Sequence, residues 1–99
     1  MHKRTKALAI PKKVKEVVYE RDGSRCILCH KQGNPDAHFI SRAQGGLGIE
    51  QNIVTLCLDC HRAYDSDQRQ LLREKIREYL KEQYPDFTDD MRIYRKYTF

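Results

Sequence analysis

Two pairs of cysteines carry the most legible chemistry in this sequence. Cys26-Ile-Leu-Cys29 and Cys57-Leu-Asp-Cys60 are separated by 27 residues. Two C-x-x-C knuckles at such a distance complete a tetrahedral four-sulfur zinc site, closed to further ligands and therefore structural. A disulfide pair or free core cysteines would use the same residues. Thioredoxin-type redox chemistry has less support, because no βαβ pattern surrounds either pair. His38, Asn52, His61 and Asp65 offer chemistry of another kind. Imidazole, with a pKa of about 6.5, can take a proton from water near neutrality. Imidazole, carboxylate and carboxamide donors suit a hard or borderline divalent cation. His61 directly follows Cys60. On a helix their side chains point ~100° apart, so one can serve the sulfur site and the other a second site. Asp65, four residues on, shares the face of His61 and makes H-x-x-x-D a candidate two-ligand clamp.

The elements that must position these groups follow from local pattern. Residues 1–10 read as a flexible basic arm that includes His2. Pro11 suits a helix first turn, and the following helix carries Val14, Val17 and Val18 on one face until Gly23 ends it. Gly33, Asn34 and Pro35 break the chain after the first knuckle. AHFIS and the β-branched NIVTLC read as two short strands around the glycine-rich loop RAQGGLGIEQ. LDCHRAYDS begins a short helix. A longer one is expected over about 67–83, with Leu71, Leu72, Ile76, Tyr79, Leu80 and Tyr84 as core, stopped by Pro85. The tail MRIYRKYTF is aromatic and basic. The glycine loop lacks G-K-[ST] and is no P-loop.

The stretches AHFISRAQGG, QNIVTLC and CLDCH, behind the lead-in VVYERDGSRCILC, resemble in their order the HNH endonuclease family. The resemblance covers roughly residues 14–65. Residues 66–99 more loosely resemble the helical tails of small stand-alone members, many of them phage-encoded. The implied fold is small α+β: a ββα-metal motif stapled by a four-cysteine zinc site, with flanking N- and C-terminal helices. The implied organisation is a single nuclease domain over 11–99 behind the arm. In such proteins the residue matching His38 is the general base. Asn52 matches the asparagine that fixes the loop and orients the base, or ligates metal in some members. His61 matches a metal ligand. The implied catalytic metal is a divalent ion (Mg2+, Mn2+, Ni2+ or Zn2+), and the products carry a 5′-phosphate and a 3′-hydroxyl. One departure stands out. Many members carry aspartate or histidine directly before the base, where this chain has Ala37. Asp36 is one residue off, and strand alternation would turn it to the other side. The second ligand is then sought in Asp65, Asn52 or a shifted Asp36. Ala37 also keeps open a second function, a non-catalytic zinc-dependent DNA-binding or adaptor module.

Charge agrees with a polyanion partner. The net charge of +5 over 99 residues is uneven: residues 1–31 hold nine Lys and Arg against three acids, while 32–66 hold two against four. Lys12, Lys13 and Lys15, with Lys3, Arg4 and Lys6, are placed to track a phosphate backbone, and Arg42 to hold the scissile phosphate. DNA is the expected partner, with weak sequence specificity because nothing resembles a base-reading helix. His30, although it follows Cys29 as His61 follows Cys60, reads as a surface residue. No run approaches the ~18 apolar residues of a membrane helix, and MHKRTKALAIPKKVKE has no apolar leader core. A cytoplasmic setting, no membrane and no small-molecule cofactor are the expectations.

Overall fold

The computed structural model describes residues 3–95; His2 and the last four residues of the aromatic tail lie outside them. In chain order the elements are α1 (Lys3–Leu8), α2 (Lys12–Arg21), β1 (Asn34–His38), a 3-10 turn (Arg42–Gln44), β2 (Ile53–Leu56), α3 (Leu58–Tyr64), α4 (Arg69–Gln83) and a second 3-10 turn (Asp89–Arg92). The architecture is small α+β: one two-stranded antiparallel sheet with helices packed on it. Among the described residues no helix is long and apolar enough to cross a membrane.

The two strands pair as Asn34 with Leu56, Ala37 with Val54 and His38 with Ile53, so β1 carries one extra residue between Asn34 and Ala37. Pro35 lies in that interval and has no N–H for the ladder, which favours a bulge there. Both strands start slightly differently from the sequence reading. The ladder ends at His38, and Phe39 and Ile40 leave the sheet to be buried in the core. That core gathers Ala37, Phe39, Ile40, Val54, Leu56, Tyr64, Ile76 and Leu80 around Cys26 and Cys57. Each fully buried large side chain contributes roughly 1.5–3 kcal/mol.

Three expectations need correction. Residues 3–8 are helical instead of a loose arm, and Leu8 is buried. The apolar Ala7–Ile10 stretch supplies a hydrophobic end by which a short basic helix can dock. Val17 is exposed, leaving Val18 as the buried residue of α2. Leu71 is 76% exposed, so the buried stripe of α4 is Ile76 and Leu80, with Leu72, Tyr79 and Tyr84 packed at its margin.

A polar junction ties α2 to the rest. Arg21 donates to the carbonyl oxygens of Glu50 (2.7 Å) and Ile53 (2.8 Å) and pairs with Asp22 at 2.7 Å. Asp22, whose side chain is fully buried, accepts from the Thr55 N–H at 2.8 Å and from the Tyr79 hydroxyl. Both carboxylate oxygens taken out of water there meet donors, the condition under which buried charge is tolerated. Gly23, at φ +67, then reverses the chain after α2.

Candidate functional site: a sulfur cluster and an adjoining histidine cleft

The first knuckle is shaped by its own backbone. Cys26 N–H donates to the Lys31 carbonyl at 2.7 Å, and His30 N–H to the Cys26 carbonyl at 2.9 Å. Ile27 N–H donates to Thr55 O at 3.0 Å, which fastens the knuckle to β2. The second knuckle opens α3: Cys57 is its N-cap, and the sulfur accepts from the Cys60 N–H at 3.4 Å. As a result the Sγ atoms of Cys26, Cys29, Cys57 and Cys60 all lie within 4.8 Å of one another, and Cys29 and Cys57 are 3.4 Å apart. Tetrahedral ligands with bonds of ~2.3 Å stand about 3.8 Å apart, so these four sulfurs fit one zinc ion. Burial works against the Cys26 thiolate, but the backbone amides of Cys57, Cys29 and Leu28 outweigh it and bring its pKa down to about 7. Burial and the neighbouring sulfurs push Cys60 the other way. Mutual repulsion of that kind is what a bound dication relieves.

His61, the next residue along α3, leaves the sulfur cluster and enters a cleft of about 400 Å³. Ala9, Ile10, Lys15, Asp36, His38, Ser41, Arg42, Asp65 and Arg69 complete its lining. His61 is flanked on both nitrogens: Asp36 Oδ1 is 3.7 Å from Nδ1, and Asp65 Oδ2 is 3.7 Å from Nε2. The carboxylates therefore stand at opposite ends of the ring. A single cation on His61 takes one nitrogen, so it takes one of these carboxylates without rearrangement. His61 with either carboxylate fits a divalent ion by donor type.

Asp36 is the main correction to the reading of this region. Ala37 is fully buried in the core, while Asp36 and His38, two residues apart on β1, line the cleft together. The cleft face of the strand is the 36/38 face, and alternation brings Asp36 to the site instead of removing it.

His38 is half-buried. Its Nε2 lies 2.8 Å from the Leu8 carbonyl oxygen. A carbonyl only accepts, so Nε2 carries the proton and Nδ1 keeps the lone pair. Burial lowers its pKa below 6.5; Arg42 and His61 act in the same direction, and the Leu8 carbonyl and Asp36 oppose them. The ring is thus held neutral near pH 7, the state in which it can accept a proton.

Asn52 does not reach the cleft. It is fully buried, its Oδ1 accepts from the Ile40 N–H (2.9 Å), and its Nδ2 donates to the carbonyls of Leu47 (2.9 Å) and Ile40 (3.2 Å). Its backbone carbonyl accepts from Phe39 N–H at 2.8 Å. Both amide protons and the amide oxygen are engaged with the two stems of the glycine loop, directly after His38. The geometry is that of a loop-fixing residue, and its full burial keeps the side chain out of the cleft.

Of the basic candidates, Arg42 and Lys15 line the cleft, while Lys12 borders a neighbouring hollow with Lys15. Lys13 is exposed on α2 away from both. His30 is exposed and outside the sulfur cluster. Arg69 also lines the cleft without being one of the candidates the sequence pointed to. Its guanidinium stacks 4.2 Å over the Tyr64 ring and donates to the carbonyls of Phe39 (3.2 Å) and Tyr64 (3.4 Å) at the cleft wall. Seven residues separate it from His61 across a helix break, so no periodicity announced it. A larger hollow of about 510 Å³, lined by Phe39, Arg77, Leu80 and Arg92, contains no histidine or cysteine.

Residues 26–67 match the family model described as HNH endonuclease. No curated protein and no solved structure matches the chain. The matched segment begins at the first zinc-type cysteine and ends just after Asp65, so it spans both knuckles, both strands and α3.

Proposed function

We propose that this chain, which carries the HNH endonuclease family's segment over residues 26–67, is a metal-dependent DNA endonuclease that hydrolyses phosphodiester bonds. One observation carries the reading: His38, Asp36, His61, Arg42 and Lys15 converge on a single cleft beside the sulfur cluster. Phosphodiester hydrolysis needs a base for water, positive charge for the phosphoryl oxygens, and a fixed relation between the two.

The chain's own groups meet these needs. His38 enters the reaction neutral and accepts a water proton at Nδ1, because Nε2 is committed to the Leu8 carbonyl. Asn52 holds the loop that follows it. Arg42 offers a planar fork to the phosphate, and Lys15 a point charge on the same wall. His61 would hold the divalent cation. Asp36 is the favoured second ligand, since it shares the strand face of His38, and Asp65 on the far nitrogen is the runner-up. When bound, that cation supplies charge neutralisation at the phosphate and its leaving oxygen. The four cysteines hold the structural zinc, whose part is to set the angle between the knuckle, β2 and α3. Lys12 and Lys13 extend the positive surface along α2 for the flanking DNA backbone.

Plasmid DNA incubated with the zinc-loaded protein and Mg2+, Mn2+ or Ni2+ tests the proposal. Nicked or linear product, absent with EDTA, is expected. Binding without cleavage under every metal would favour the non-catalytic DNA-binding module instead.

A further inference from the structure

The basic segment before Pro11 is built into the cleft. The Ala7 carbonyl accepts from the Gly48 N–H at 3.0 Å. Leu8 is buried, and its carbonyl receives His38 Nε2 at 2.8 Å. Ala9 and Ile10 form one wall. The approach is close: a Cβ on Gly48 would stand 1.9 Å from the Ala9 carbonyl oxygen and 2.5 Å from its carbon. Only a glycine admits this backbone at that distance. The glycine loop thus accepts the N-terminal segment at Gly48, while Asn52 pins its stems.

We infer that the N-terminal segment is a positioning element of the site: the Leu8 carbonyl, seated by Gly48, sets the tautomer and ring orientation of His38. The segment lies outside the matched residues 26–67, so the general base of that core is oriented by a part of the chain the core does not contain. The physical reason is simple. A neutral imidazole has one N–H, and the acceptor that fixes it decides which nitrogen keeps the lone pair. Without the Leu8 acceptor the two tautomers compete, and the ring gains rotational freedom at the end of β1. The inference rests on the proposed role of His38 as base for its kinetic part, and on geometry alone for its tautomer part.

The test weakens this acceptor. The full chain is assembled by ligating a synthetic 1–25 segment at Cys26 and is loaded with zinc. In one version the Leu8–Ala9 amide is an ester, which makes the Leu8 carbonyl a poorer acceptor and also removes the Ala9 N–H that donates to the Thr5 carbonyl at 3.1 Å. A control ester at Thr5–Lys6 weakens that same Ala9–Thr5 bond from its acceptor side and leaves the Leu8 carbonyl an amide. The His38 ring nitrogens are read by 15N NMR at a pH where the ring is neutral, and plasmid cleavage is measured alongside. The all-amide chain and the control should show the Nε2–H tautomer. The Leu8–Ala9 ester should shift it toward Nδ1–H and lower kcat about tenfold, short of the roughly 10²–10⁴-fold of losing a general base, with KM changed less than about twofold. Gly48→Ala should move both readouts the same way with zinc retained. An ester chain that keeps both tautomer and rate overturns the inference. A tautomer shift in a protein that cleaves no DNA under any metal upholds the contact and overturns the endonuclease reading instead.

Discussion

Asp36 and His38 stand two residues apart on β1 and face one cleft, with Ala37 buried between them. The carboxylate and the base are therefore presented by one strand, and His61 approaches them from α3. The relation ranks the metal ligands. Asp36→Ala should raise the metal concentration for half-maximal cleavage by at least about tenfold, the usual scale for losing one supporting group at a metal site. Asp65→Ala should raise it less, and excess metal should restore much of the rate in both. His61→Ala should not be rescued. Metal titration of plasmid nicking, with zinc counted by mass spectrometry, gives the ranking; a larger effect from Asp65 would put the cation on Nε2.

His38→Ala should lower cleavage roughly 10²–10⁴-fold while DNA affinity stays near that of the native chain. Loss of binding in parallel with activity would mean a structural role instead.

The pH profile carries a sign. Burial, then Arg42 and His61, lower the His38 pKa below 6.5, and a bound cation acts the same way. Protonation removes the base, so the rate should fall as pH drops, with a midpoint below 6.5. Arg42→Ala removes one lowering influence and should move that midpoint up. A midpoint above 6.5 in the native chain would contradict the assigned environment.

Zinc should be essential for folding. Structural zinc sites in small peptides are worth about 10–16 kcal/mol, comparable to the whole stability of a domain, about 5–15 kcal/mol. Chelation or Cys57→Ser should abolish the cooperative unfolding transition, read by circular dichroism. A persistent transition in zinc-free protein would show that the core suffices.

The Arg21–Asp22 junction should be nearly as sensitive. Asp22→Ala strands a part-buried guanidinium and leaves the Thr55 N–H and Tyr79 hydroxyl without their acceptor. Removing one partner of a buried pair costs about 3–5 kcal/mol. Urea unfolding of the zinc-loaded variant should show a loss of that order.

Much of this molecule was written in its sequence, because the signals are local. Two C-x-x-C spacings put four sulfurs in reach of one ion. Adjacency on a helix sent Cys60 and His61 to different sites. β-branched and glycine-rich stretches marked the strands and the loop between them. Other features could not be read along the chain. Whether 36 or 37 faces the cleft depended on which side of β1 meets the core, a choice made by packing against Phe39, Val54 and Leu56. The seat of Leu8 against His38 joins residues thirty apart through an approach that only Gly48 permits. Arg69 reached the cleft because the ring of Tyr64 and two backbone carbonyls hold it there. Spacing determines which groups can act together within one element. The packing of separate elements decides which of them meet, since long-range contacts are set by the whole core and not by any stretch of it.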